Sequence, residues 1–388
     1  MVTNPPWTRL RAKSADSKTR ANEKKRIAEM GAAFTGLTRR VLTNRGLGDL
    51  AQTYTNPDNN PDLPFLWRAT EWAKPGGIIA MALPGRIILK QGGNGKAARD
   101  ATLRGLTVTG ILNGTDLEKT PVWPNMDLPF MLLFARNAIP GPEHCFRFVT
   151  PVRENRLSRL GRFRLDYKSA DSVNAEDVIK KPWLLKALTV GTLLDVDVIE
   201  RIERKVKTKL DDFWRPPLLH SGVGYKLAPD LDQQSAKDLF DLKEFHPPSK
   251  GFQIDFSVLR SWRDIHDEDT VHPPGNVDVY AAPVLIVPQT PGEVRDQPKS
   301  FLSQHIPLCF SQSYYGYSSH GHREAQLLAC TLYLLTHSLL FQHWCLVRSS
   351  RVGASYRTFI KQDLESFPFP NPGELRADDR HRICAGSA

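Results

Sequence analysis

The sequence predicts an α/β protein in two parts: part of a doubly wound sheet over residues 1–139, an α+β region over 140–375, and a frayed tail over 376–388. Three observations carry that expectation. Ile78-Ile79-Ala80-Met81-Ala82-Leu83 is a continuous apolar run, as a strand covered on both faces should be. Helix-patterned segments stand on either side of it, the alternation of a doubly wound sheet. After Ile139-Pro140-Gly141-Pro142 the composition shifts to mixed segments rich in Arg and Pro, which marks a boundary.

Taken in order, the elements begin with a short apolar stub, Val2-Thr3, that reads as the end of a strand. Residues 61–73 read as a helix with Leu63, Leu66 and Trp67 on one face, stopped by the turn chemistry of Lys74-Pro75-Gly76-Gly77. Pro84 ends the apolar strand, and Gly95–Gly105 reads as a second helix with Lys96, Arg99 and Arg104 on its wet side. Val108–Leu112 and Phe130–Ala135 read as an antiparallel strand pair, joined by a polar stretch containing Thr120-Pro121-Val122-Trp123-Pro124. Further on, Pro182–Leu188 and Leu193–Leu210 look helical, and Val277–Val287 looks like a strand pair broken at Pro283. Arg323–Val347 reads as one long helix carrying Leu327, Leu328, Leu332, Leu335, Leu339 and Leu340 in the core.

With 388 residues the chain is long enough for two or three domains, and its soluble composition, 40% hydrophobic, reads as cytoplasmic with no membrane partner. Five scattered cysteines, with no CxxC pair, argue against a disulfide framework or a metal site. A formal net charge of +10 favours an anionic partner. From Thr8 to Arg45 there are eleven Lys or Arg against Asp16, Glu23 and Glu29, a local net of +8 that makes up most of the excess.

The chemistry-bearing motif is Asn4-Pro5-Pro6-Trp7. Methylating the exocyclic amine of adenine requires an extruded base, a π-face to hold it, and acceptors that turn the nitrogen lone pair toward an electrophilic methyl. Trp7 supplies the face, while the Asn4 carboxamide oxygen and the Pro5 carbonyl supply the acceptors. Pro5 and Pro6 fix φ near −65°, so the acceptors are in place before the base arrives.

The order of Asn4-Pro5-Pro6-Trp7, a helix, Lys74-Pro75-Gly76-Gly77, an apolar strand and Leu83-Pro84-Gly85-Arg86 resembles N-6 adenine-specific DNA methyltransferases. It is most similar to the large modification and restriction-defence enzymes that join methylase and target-recognition regions in one chain. The similarity continues through Pro129–Asn137, Ser313–Ser318 and Asp363–Pro370. It implies a partial methyltransferase domain over 1–139, a target-recognition region over 140–375, double-stranded DNA as substrate and S-adenosyl-L-methionine as methyl donor, with no metal.

The family places its glycine-rich cofactor turn before the Asn-Pro-Pro-aromatic motif, where this sequence has three residues. Gly92–Gly95, Gly191–Leu193 and Ser221–Gly224 do not replace it, so cofactor-binding residues are not assigned. N-terminal strands are therefore expected to be missing, leaving one side of the sheet bare for a separate N-terminal methyltransferase polypeptide. Arg9, Arg11, Lys13 and Arg20 are candidate phosphate contacts, and Tyr314, Tyr315 and Arg351 are candidate DNA contacts in the second region, with Tyr317, Arg348 and Arg357 beside them. Two alternatives stay open: a non-catalytic DNA-binding or specificity subunit, and a truncated vestigial product.

Overall fold

The structure is a computed structural model that describes residues 1–388 except 8–9, 14–15, 118–119, 125–127, 153, 216–218, 228–232, 248–253, 273–275, 291–299, 352–357 and 386–388. The chain divides into two compact units, Met1–Leu193 and Leu194–Ala388. The expected boundary at 139/140 falls inside the first unit, because the strands that follow it extend the same sheet.

The first unit contains β1 (Val2–Thr3), α1 (Ser17–Asn44), α2 (Gly48–Thr53), α3 (Asp62–Trp72), β2 (Ile78–Pro84), α4 (Arg86–Leu89), α5 (Gly93–Gly105), β3 (Thr107–Asn113), β4 (Phe130–Arg136), β5 (Cys145–Val149), α6 (Asn155–Arg159), β6 (Ala170–Asn174), α7 (Ala175–Lys180) and α8 (Leu184–Val190). The strands form one sheet in the order β1-β2-β4-β3-β5-β6. β1 is parallel to β2, while β4 runs antiparallel to both β2 and β3, so β1, β2, β3 and β5 point the same way. One face of the sheet carries buried Ile79, Met81, Leu83, Val108, Ile111, Leu133 and Ala135, packed under α3 and α5.

The opposite face is open at the β1 edge. Val2, Ala80 and Phe134 are side-by-side partners across three strands, and Val2 is 84% and Phe134 39% exposed. Ile78, two residues from Ala80 and thus on the same face, is 61% exposed. Among the described residues Val2, Ile78 and Phe134 thus form a row of exposed apolar side chains on this face.

Arg99, expected on the wet side of α5, is 1% exposed instead. Its Nη1 donates to the carbonyls of Lys90 at 2.9 Å and Pro182 at 3.0 Å, tying α5 to the segments around it. Burial pushes its guanidinium down to about 10.

The second unit contains α9 (Leu193–Lys205), α10 (Leu210–Phe213), β7 (His220–Val223), β8 (Gln234–Ser235), β9 (Lys243–Glu244), β10 (Thr270–Val271), β11 (Val284–Pro288), β12 (Phe301–Ser303), β13 (Leu308–Cys309), β14 (Tyr314–Ser318), α11 (Ala325–His337), α12 (Leu339–Arg348), α13 (Lys361–Glu365) and α14 (Ala377–Ala385). Its main sheet is antiparallel in the order β12-β11-β14-β7. Val284, Ile286, Phe301, Phe310, Trp262 and Tyr280 lie in its core.

Four expectations change here. Val277–Tyr280 is a 3-10 turn capped by Asn276, so only β11 is a strand. The helix from Leu193 ends at Lys205 and resumes at Leu210. Arg323–Val347 is two helices bent by 70° at Ser338, whose hydroxyl accepts from Phe341 N and donates to Leu335 O. The bend turns Leu339 out to 81% exposure, away from the core. The tail is also ordered through Ala385: α14 forms, and Arg380 pairs with Glu324 at 3.0 Å.

Among the described residues no single helix is long and apolar enough to cross a membrane. Gly224 supplies a packing test. A Cβ there would lie 1.9 Å from the Phe310 carbonyl oxygen and 2.5 Å from that of Ser311. Gly224→Ala is expected to cost at least the 1–3 kcal/mol typical of overpacking, read as a lower urea midpoint.

Candidate functional site

β1 is short, yet its backbone is well held: the Met1 ammonium donates to Ile78 O at 2.7 Å and Ala80 N donates to Met1 O at 2.8 Å. This pairing sets Asn4 to Trp7 at the carboxyl end of β1, where α/β sheets place their ligands. Pro5 is buried, whereas Asn4 and Pro6 are exposed and Trp7 is half-buried. The Trp7 indole N–H donates to Ala82 O at 3.2 Å, fixing the ring against the end of β2. Asn4 forms no side-chain hydrogen bond among the described residues, so its carboxamide oxygen is free to accept one.

A second indole faces the first. Trp123, in the β3–β4 connection, lies with its ring centroid 5.8 Å from that of Trp7 and the planes inclined by 30°. Phe130, at the start of β4, backs Trp123 at 4.4 Å. Its ring fits because Gly114 has no side chain, since a Cβ there would lie 2.3 Å from Phe130 Cζ. Gly85 N donates to Pro129 O at 2.6 Å, joining the turn after β2 to the start of β4. The ends of β1, β2 and β3 and the beginning of β4 thus converge around one aromatic pair. Sequence reasoning passed over Trp123; the usable signal was an aromatic residue between Pro121 and Pro124 in a connection on the site side of the sheet.

Below the turn after β2, Arg86 makes an ion pair with Asp62 at the start of α3, and Leu63 N donates to Asp62 Oδ1 at 2.9 Å. Asp62 is fully buried. Burial holds its carboxyl above the usual carboxylate range, even with the Arg86 guanidinium pulling the other way.

The remaining sequence-predicted residues separate. Arg11 and Lys13 are exposed, and Lys13 N donates to Glu23 Oε2 at 2.7 Å, folding this segment along α1. Arg20 is exposed on α1, and Arg9 lies outside the described residues. Tyr314 is half-buried with its ring edge-on to Phe245. Tyr315 is a correction: it is 5% exposed, its ring stacks on Phe359 and its hydroxyl donates to Phe359 O at 3.3 Å, so packing consumes the group expected at DNA. Tyr317 is likewise buried, against Trp214. Arg348 pairs with Glu203 at 2.8 Å. Arg351 is exposed, while Arg357 lies outside the described residues.

No described segment fits S-adenosylmethionine as a strand, glycine-rich turn and helix. Gly92–Gly95 opens α5 but follows α4 rather than a strand, Gly191 separates two helices, and Ser221–Val223 is paired in β7 against β14. Among the described residues no group of His, Cys, Asp or Glu is arranged to hold a metal ion. The second unit does hold a buried polar cluster that sequence reasoning missed: the Tyr225 hydroxyl donates to Glu244, which also lies 2.8 Å from His266 Nε2. It sits inside the apolar core of that unit, with Trp262 against both Tyr225 and His266.

Comparison with known proteins adds a distant structural likeness. No family model and no curated protein matches the sequence. Among solved structures, the chain is similar to the type IIG restriction endonuclease BpuSI, with 12% identity and a TM-score of 0.35 over 100% of this chain and 48% of that one. It is also similar to the type I restriction-modification methyltransferase subunit from Streptococcus thermophilus, with 14% identity and a TM-score of 0.27 over 47% of this chain and 35% of that one. A third likeness is to the type I EcoKI M protein, with 19% identity and a TM-score of 0.21 over 28% of this chain and 24% of that one. The chain thus spans less than half the length of each of these proteins.

Proposed function

We propose that this chain is the base-holding and DNA-recognising part of an N-6 adenine DNA methyltransferase, completed by a polypeptide that supplies the S-adenosylmethionine site. The observation that carries the reading is the facing pair Trp7–Trp123 beside an unengaged Asn4 carboxamide. An adenine extruded from duplex DNA would enter between the two indoles, with its amine toward Asn4 and the Pro5 carbonyl. Those acceptors would hold the amine hydrogens and leave the lone pair pointing out of the ring plane. No base is needed, since the amine loses its proton after gaining the methyl. The donor would be held by the polypeptide that supplies that site, and the apolar row of Val2, Ile78 and Phe134 together with the β1 edge is where it would dock. The second unit would supply target recognition.

Titration calorimetry tests this directly. The isolated chain is expected to bind no S-adenosylmethionine, and binding that appears only with a cofactor-site polypeptide supports the reading. Tight binding by the chain alone would remove the claim that its site is incomplete. A non-catalytic specificity subunit is told apart by turnover: in the completed enzyme, Trp7→Ala and Trp123→Ala are each expected to lower kcat/KM for DNA by roughly 5- to 150-fold, the equivalent of the ~1–3 kcal/mol typical of base stacking. Cofactor affinity should stay level in both variants.

A further inference from the structure

We infer that the first half of α1 is a DNA-backbone arm that grips phosphates beside the extruded base. This rests on the reading above and assigns it a surface. The placement of α1 follows from its contacts. At its far end, Arg45 donates to Asn137 Oδ1 at 2.7 Å and to Gly105 O at 2.7 Å, both at the amino ends of β2 and β3. Gly31 lies against Asn59, in the loop that leads to α3 and that Lys90, beyond the carboxyl end of β2, holds through Asp58 at 2.5 Å. Residues 31–45 therefore run the length of the sheet, and residues 17–30 continue past its carboxyl edge. At 1.5 Å per residue that overhang is about 20 Å, comparable to the width of a DNA duplex, and it leaves the sheet at the end where Asn4–Trp7 stand.

Among the described residues, little packs against this overhang. The residues from Lys18 to Met30 are exposed on every side save for half-buried Glu23 and Ile27. Lys18, Arg20, Lys24, Lys25 and Arg26 form no ion pair among the described residues. Their neighbours Glu23 and Glu29 are fewer, and Glu23 is engaged by the Lys13 amide. That hydrogen bond lays exposed Arg11 and Lys13 along the same arm. The helix is locally encoded: Asp16 caps it by accepting from Thr19 N at 2.7 Å, and Ala, Lys, Arg and Glu sustain it. A membrane surface is a poor fit, because the overhang has no apolar stripe beyond Ile27 and Met30. A row of cations on a rigid rod, nine residues along the chain from Trp7 at its Asp16 cap, fits the phosphates flanking an extruded nucleotide.

The test is a salt series of duplex binding by the full chain, read by fluorescence anisotropy. Wild type is compared with Lys18→Gln/Arg20→Gln/Lys24→Gln/Lys25→Gln/Arg26→Gln and with a control that removes the same charge from exposed positions of the first unit outside the arm, Lys74→Gln/Arg104→Gln/Arg136→Gln/Arg147→Gln/Lys180→Gln. Each lost phosphate contact should lower the slope of log K against log salt by about 0.9, so the arm variant should lose up to about 4.5. That slope corresponds to roughly a 500-fold change in affinity over a fourfold rise in salt. The control should keep nearly the wild-type slope, and circular dichroism should show unchanged helicity in both. Equal slopes in the arm variant and wild type would overturn the arm, and so would equal losses in arm and control. Failure of wild type to bind duplex DNA at low salt would instead overturn the proposed function, so the two failures are separable.

Discussion

Asn4→Ala should lower kcat for adenine methylation by 10²–10³ in the completed enzyme, the loss expected when one preorganised partner of a developing charge is removed. The side chain is exposed and makes no hydrogen bond among the described residues, so its removal should leave folding and β1 pairing as they are. Duplex affinity should also change little, because Trp7 and Trp123 keep their faces. Single-turnover methylation with matched measurements of DNA binding separates these effects. A variant that methylates within threefold of wild type would exclude Asn4 from the chemistry.

The second large effect is structural. Removing one partner of the Asp62–Arg86 pair should cost about 3–5 kcal/mol, because Arg86, with a side chain 12% exposed, would be left as a buried unpaired charge. Asp62→Ala therefore should unfold at much lower urea, while Asp62→Leu/Arg86→Met, which removes both charges, should recover most of the loss. If the double variant is as unstable as the single, the pair is not the cause. The pH dependence has a definite sign. Burial keeps the Asp62 carboxyl protonated to higher pH in the folded chain than the ordinary value of 3.8, so over that window the folded state holds more protons than the unfolded one. The contribution of this group to stability is thus greatest below that value and falls as pH rises through the raised titration.

Much of the first unit was legible because its signals are local and mutually consistent. The apolar run at 78–83, the turn at Lys74–Gly77 and the paired strands at 107–113 and 130–136 each follow from periodicity and turn chemistry. Arg99 was misread because helical periodicity places a residue on a face but does not reveal that Lys90 and Pro182 offer carbonyls there. At Ser338 the leucine spacing continues through a bend, so hydrophobic pattern and cap signal point different ways, and the serine cap wins. Of the candidate site, Asn4–Trp7 could be seen because one short motif carries several chemically distinct groups. Trp123 could not, since its partner is 116 positions away in sequence and only the β3–β4 connection brings the rings together.

The resting distance between those rings has an energetic corollary. A nucleobase sandwiched by two aromatic planes needs them about 7 Å apart, twice the ~3.4 Å thickness of a stacked base, and the indoles stand at 5.8 Å. In the proposed site the two rings would therefore part to admit a base, exchanging one ring–ring contact for two ring–base contacts. Because an adenine leaving the duplex surrenders two stacking neighbours of its own, its occupancy of the proposed site would be an exchange of similar interactions rather than a large gain. Such a balance would make the clamp a discriminating gate: weakly paired nucleotides should load most readily, and a tightly stacked one only when the surrounding backbone is already gripped.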